Sequence, residues 1–170
     1  MKKISLISLA LLFSVMSFAQ RFAYVDTEYI LKNIPAYQAA QDQLDNQAVE
    51  WQKEIEEIYA KIDKMYKDFQ AEKVLLTEEM RVKRENAIVE KEKEAKNIQK
   101  QYFGKEGELY KKRQELIKPI QDDIFNAVKE VAGEGNFAVI FDTAGGMSML
   151  FNDPKYDKSD DVLEKLGYKK

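Results

Sequence analysis

Adjacent carboxylates at Glu56-Glu57 and Glu78-Glu79 are the nearest thing in this 170-residue chain to an acid–base pair. Two carboxylates do general acid–base work when they share a site and their environments push their proton affinities apart. These two pairs fall in stretches that read as helix, where sequence neighbours do not face each other. They read as surface charge. Lys105 follows Gly104, but the first glycine of a phosphate loop is missing, because that position is Gln99. Gly133-Glu134-Gly135 lacks the third glycine of a dinucleotide fingerprint and precedes a strand instead of following one. The chain has no histidine and no cysteine, so the commonest metal ligands and the usual general base are absent from its composition. The expectation is a protein without enzymatic activity, with no cofactor and no metal.

What the chain does carry is a long helical pattern. From Ala36 to Phe69 there is no Gly or Pro, and apolar residues fall at Leu44, Ala48, Trp51, Ile55, Ile58, Ile62, Met65 and Phe69. Steps of four and three alternate, which is a heptad seam and argues for a coiled-coil helix. The pattern breaks at Val74-Leu75-Leu76-Thr77, and Thr77-Glu78-Glu79 reads as a new helix start: a hydroxyl cap followed by carboxylates at the positive end of the helix dipole. Ile88, Ala95, Tyr102, Leu109 and Leu116 then recur every seven residues, while Lys91, Glu92, Lys105 and Glu106 stand where a companion seam would need apolar side chains. The second limb is therefore expected to be held less firmly than the first. The two limbs predict an antiparallel hairpin with its tip near Leu75 to Met80, each limb about 40 residues and about 60 Å long. Gly104 and Gly107 interrupt the returning limb at about 1 kcal/mol each relative to Ala; they are either tolerated weak spots or a hinge, and replacement by Ala is expected to stiffen the limb. Pro119 is expected to kink or restart the helix, followed by an apolar stripe at Ile120, Ile124, Val128 and Val131.

Both ends of the chain predict a small β-containing body. Phe22-Ala23-Tyr24-Val25 reads as a strand ended by Asp26-Thr27 at the start of a short helix, Phe137 to Phe141 as a second strand and Met147 to Phe151 as a third. Gly145-Gly146 between the last two supplies the freedom of a hairpin turn. Ser159-Asp160-Asp161 is expected to cap a last helix, Val162 to Leu166, stopped by Gly167. The fold class expected is α+β, mostly α. Residues 36–117 form the hairpin arm, and residues 20–35 with 118–170 form the body. Three short strands make a marginal core alone, so the body is expected to share a core with other copies.

The first 19 residues read as a signal peptide: Lys2-Lys3, an apolar run from Ile4 to Met16, then Ser17-Phe18-Ala19. The run is short of the roughly 20 residues that span a bilayer. Removing the signal takes two lysines from 27 basic residues against 30 acidic, leaving 25 against 30, a net charge of −5. That sign disfavours nucleic acid as a partner. The expected location is the periplasm, as an exported soluble protein.

The order of a signal peptide, the Ala23-Tyr24-Val25-Asp26 strand, a long charged hairpin, Ile124 to Ala132 running into Phe137 to Asp142, and a closing Ser159 to Leu166 resembles the Skp/OmpH family of periplasmic chaperones. The resemblance covers the whole chain after the signal. It implies a homotrimer whose strands join in a central β-body, here through Phe22, Tyr24, Phe137, Val139, Ile140, Phe141, Met149 and Phe151, with three arms around a cavity. It also implies that the cavity holds unfolded outer-membrane proteins soluble without ATP. Candidate client contacts are aromatics beside the seams: Tyr59 and Tyr66 next to Ile58 and Met65, and Phe103 and Tyr110 next to Tyr102 and Leu109. The plainer reading of each is that it widens the hairpin core. Well-known family members are strongly basic, whereas this chain is acidic. Its basic excess is local, with Arg81, Lys83, Arg84, Lys91, Lys93, Lys96 and Lys100 against four acidic residues between positions 81 and 100. A weak contact with anionic lipid, if the chain makes one, is expected at that end of the arm. The competing expectation is a coiled-coil spacer or scaffold of the cell envelope.

Overall fold

The computed structural model describes residues 21–146 and 149–168; the signal-peptide reading lies outside them. The elements run β1 (Arg21–Val25), α1 (Thr27–Lys32), α2 (Pro35–Glu72), α3 (Glu78–Phe103), α4 (Glu108–Gly135), β2 (Phe137–Asp142), a 3-10 turn (Pro154–Tyr156) and α5 (Ser159–Lys165). The chain is mostly helical and folds as two compact units. One is Ile34–Asp122; the other joins the N-terminal residues through Asn33 to the segment from Asp123 onward.

Within Ile34–Asp122, α2 is 38 residues long and starts on Pro35, whose fixed φ and missing N–H suit the first helical turn. Its length is about 57 Å at 1.5 Å per residue. The heptad positions turn inward as the spacing requires: Leu44, Ile55, Ile62 and Phe69 are buried. The chain reverses at 73–77, and Thr77 begins α3 by accepting a hydrogen bond from the Met80 N–H at 3.3 Å. Arg81 Nε closes the turn by donating to the Lys73 carbonyl at 3.0 Å, and Arg84 pairs with Glu72 at 3.2 Å. Two separate cores hold the limbs together. Ile62, Phe69, Ile88 and Ala95 form the distal one, with Ile58, Met65 and Leu76 against it. Ala40, Leu44 and Ile117 form the proximal one, with Tyr37, Leu109 and Leu116. Burying each such Ile, Leu or Phe is worth about 1.5–3 kcal/mol relative to exposure. The second limb is thinner, as its incomplete seam predicts: α3 buries only Ile88 and Ala95 over 26 residues.

Three expectations for the helices need correction. The return limb is not continuous, because α3 ends at Phe103 and α4 begins at Glu108, with Gly104 to Gly107 between them. Pro119 neither ends nor restarts a helix; it lies inside α4. Glu115, whose carbonyl the proline leaves without its helical donor, is exposed like Pro119 itself, so water can take the missing donor's place. The last helix starts at Ser159, not Val162, and Asp160 and Asp161 lie in its first turn. Its end is as expected. Gly167, at φ 83°, lets its own N–H reach the Glu164 carbonyl and the Tyr168 N–H reach that of Leu163.

In the other unit, β1 and β2 pair in parallel, with Phe22, Ala23, Tyr24 and Val25 opposite Val139, Ile140, Phe141 and Asp142. Parallel pairing needs a long crossover, and the whole of α1 to α4 lies between the strands. The expected third strand does not form: Met149 to Phe151 is irregular, and Met147 lies outside the described residues. Gly146 has the positive φ of a turn, 77°, but no strand follows it to complete a hairpin among the described residues. β1 is flanked instead by the 3-10 segment, with a bridge from Tyr24 to Asp157 and a bond from the Lys158 N–H to the Tyr24 carbonyl at 2.9 Å.

Candidate functional site

Side-chain caps fix the geometry of the sheet unit. Asp26 caps α1 by accepting from the Tyr29 N–H at 2.9 Å, while its own N–H donates to Ser159 Oγ at 2.9 Å. Ser159, buried, donates in turn to Asp157 at 2.6 Å. Tyr29 donates its hydroxyl to Asp160 at 2.9 Å. Ile30, Val162 and Leu163 are buried where α1 and α5 pack. Lys165 pairs with Glu134, and that hydrogen bond raises the lysine's pKa.

Of the residues expected to build a shared core, Tyr24 is buried within the unit. Burial, then the nearby Asp157 and Asp153, raises its phenol's pKa above the ordinary 10.0. Phe137, Ile140, Phe141 and Met149 are half-buried. Phe22, Val139 and Phe151 are exposed, Phe151 by 82%. Phe22 and Phe141 stack at 6.4 Å between ring centres and, with Tyr24, Met149, Phe151 and Tyr156, line a cavity of about 720 Å³ beside β1. The unit thus leaves large apolar side chains in water around a two-stranded sheet. Leu150, fully exposed, and Phe125 on α4, 64% exposed, belong to the same class and were not singled out from sequence. Phe125 directly follows a buried seam residue, Ile124, and that adjacency is the only signal that could have found it.

On the hairpin, all four candidate aromatics are exposed, Tyr66 and Tyr110 by about half and Tyr59 and Phe103 by 38% and 37%. Tyr59 and Tyr66 lie one heptad apart on α2; Tyr110 is on α4. Phe103 differs from the others in meeting Trp51 edge-on, at 6.4 Å between ring centres. Trp51 also stacks on Tyr102 at 4.6 Å and 8° between planes, and the Tyr102 hydroxyl donates to Glu54 at 3.0 Å. That hydrogen bond, ahead of burial and the charge of Glu54, raises the pKa of Tyr102. The individual seam positions were legible in sequence, but the constellation was not, because it depends on the register between the limbs.

The basic residues divide into two groups. Arg81, Arg84 and Lys91 are engaged with Glu78, Glu72 and Glu94. Lys83, Lys93, Lys96 and Lys100 are exposed and form no ion pair among the described residues. At the turn, Val74 and Leu75 are each 86% exposed and directly follow the exposed Lys73, whereas Lys93, Lys96 and Lys100 lie further along α3. The two hinge candidates form the break itself. A Cβ on Gly104 would collide with the Lys100 carbonyl oxygen, and one on Gly107 would lie 2.7 Å from the carbonyl oxygens of Gln101 and Tyr102. Their lack of a side chain is required by this geometry, and the expected gain from Ala is reversed.

No group of three or more acidic, histidine or cysteine side chains is placed to hold a metal among the described residues. No helix of the described residues is long and apolar enough to cross a membrane.

A scan against protein families matches residues 21–166 to the family described as outer membrane protein, OmpH-like. An uncharacterized protein of Aquifex aeolicus (strain VF5) is 28% identical over 159 residues, covering 94% of this chain and 93% of that one. A crystal structure from Caulobacter crescentus CB15, described as a candidate outer membrane chaperone (OmpH-like), superposes with a TM-score of 0.69 at 13% identity, over 87% of this chain and 84% of that one. At that identity the likeness is one of fold, and the family rests on the match from residue 21 to residue 166. On that match, the chain belongs to the OmpH-like family.

Proposed function

We propose that this protein is an ATP-independent holdase of the periplasm that keeps unfolded outer-membrane proteins soluble. The observation that carries the reading is the exposure of Tyr59, Tyr66, Phe103 and Tyr110 along a helical hairpin far longer than its own packing requires. Membership of the OmpH-like family, and the chaperone description of the Caulobacter crescentus protein of the same fold, support it. The mechanism needs no reaction. Unfolded outer-membrane chains carry alternating apolar side chains and aggregate through them. Binding the unfolded chain shifts its equilibrium by mass action, and many weak aromatic contacts sum to useful avidity. The chain acts without catalysis or cofactor, and exports behind a cleaved signal peptide.

The working form in this reading is a homotrimer. Phe22, Val139 and Phe151 are apolar groups that a monomer leaves in water, and a shared core would cover them. The arms are residues 36–117, and clients lie between them. Weak contact with anionic lipid falls at the turn end of the arm, where Val74 and Leu75 are exposed next to Lys73 and the exposed Lys83 lies near the start of α3. The test is to dilute a urea-unfolded outer-membrane protein into buffer with and without this protein and follow turbidity. Suppression near one trimer per client, unaffected by ATP or chelator, supports the holdase. Unaltered turbidity overturns it in favour of a coiled-coil spacer of the envelope.

A further inference from the structure

The break at Gly104 to Gly107 lies between the two hydrophobic cores of the hairpin. Ile62, Phe69, Ile88 and Ala95 close the limbs on one side, and Ala40, Leu44 and Ile117 on the other. α2 runs unbroken past both, so only the return limb has a joint. Beyond Ala95, α3 buries no further residue before it ends at Phe103. What holds its last turns against α2 is chiefly the half-buried ring of Tyr102, stacked on Trp51 and tied to Glu54, with Phe103 edge-on to the same indole and Ile98 half-buried one turn earlier.

We propose that Trp51, Tyr102 and Glu54 form a clasp that decides whether the last turns of α3 stay seated on α2 next to the glycine joint. With the clasp closed, α3 is pinned at both ends, by the distal core and by Tyr102. With it open, the turns from about Ile98 to Phe103 join Gly104 to Gly107 as one flexible connection. Opening also uncovers the face of the indole. The clasp is built from contacts within the arm and requires no bound client.

The chain has one tryptophan, so its fluorescence reports the clasp alone. Three variants separate its parts: Tyr102→Leu removes the stack and the hydrogen bond, Tyr102→Phe removes only the hydrogen bond, and Glu54→Gln removes the charge. Amide hydrogen exchange is followed residue by residue. Tyr102→Leu is expected to speed exchange of Lys100 to Phe103 roughly tenfold, since aromatic pairs and local openings of this kind act on that scale. Tyr102→Phe and Glu54→Gln give smaller increases at the same amides. Exchange around Ile88 is unchanged, and Trp51 emission moves to the red in Tyr102→Leu. Unchanged exchange at Lys100 to Phe103 in Tyr102→Leu overturns the proposal, as does a uniform acceleration along all of α3, which would mean that the helix opens as one unit. Should Tyr102→Leu not fold, the other two variants decide: faster local exchange supports the clasp, and none overturns it.

Discussion

Thr27 at the start of α1 donates its hydroxyl to the carboxylate of Asp142 at the end of β2, at 2.8 Å, and its N–H to the same side chain at 3.2 Å. Asp142 also accepts from the Ala144 N–H at 3.0 Å. One carboxylate therefore ties the exit of β1 to the exit of β2, across 115 residues of sequence. Asp142→Ala leaves the two part-buried Thr27 donors without this partner, and the exposed Ala144 N–H to water, and is expected to lower stability by about 1–3 kcal/mol. Asp142→Asn keeps one acceptor oxygen and should lose less. Urea unfolding of the two variants checks the order; equal stability of Asp142→Ala and the parent would contradict it.

The apolar residues left open around the sheet give a prediction about assembly. Val139 is 40% exposed, so Val139→Asp costs the isolated chain little. In a shared core the same aspartate would be buried without a partner, at a cost of several kcal/mol. Light scattering coupled to size exclusion should report a trimer for the parent and smaller species for the variant. Ile140→Asp should dissociate the assembly too, but it also disturbs the half-buried side of the unit. A parent that runs as a stable monomer at micromolar concentration would defeat the shared-core reading.

The glycines at the joint yield a prediction opposite to the one helix propensity suggests. Gly107→Ala places a Cβ 2.7 Å from two carbonyl oxygens and is expected to destabilise by more than about 1 kcal/mol. Gly104→Ala should act in the same direction. A rise in the melting temperature of either variant would show that the break is not sterically enforced.

Much of the arm was legible because the heptad spacing of Leu44, Ile55, Ile62 and Phe69 states which face is buried, and the Thr77 cap states where the second limb starts. The break after Phe103 was not, because a glycine's cost in a helix does not say whether the neighbouring carbonyls leave room for a side chain. The third strand was misplaced because Met147 to Phe151 has strand-like composition, yet the position beside Tyr24 is taken by Asp157, directly after the 3-10 turn. The Trp51–Tyr102 contact was hidden for another reason. A half-turn change in register between the limbs would place a different residue over the indole.

Alkaline pH should loosen the protein at two tyrosines. Tyr24 and Tyr102 both have pKa values raised above 10.0, by burial and by the bond to Glu54 respectively. A group whose proton is held more tightly in the folded state adds stability below its unfolded pKa and loses it as pH rises through the folded one. Stability should therefore be flat below about pH 9 and fall above pH 10. In a spectrophotometric titration, Tyr24→Phe and Tyr102→Phe should each remove a late-ionising phenol. A titration in which all tyrosines ionise together would contradict this.

In the proposed function the exposed arm, and not the sheet unit, holds the client. Deleting residues 62–95 and closing the limbs with a short turn removes the distal core and takes about 16 Å from α2 and about 27 Å from α3, while keeping Trp51, Tyr102 and all of the sheet unit. The measurement is turbidity of a urea-unfolded outer-membrane protein diluted into equal concentrations of the parent or the shortened protein, with oligomeric state confirmed by light scattering. The expected result is an unchanged trimer and a severalfold loss of protection, with single changes at Tyr59, Tyr66, Phe103 or Tyr110 each costing far less. A shortened trimer that protects its client as well as the parent does would contradict it.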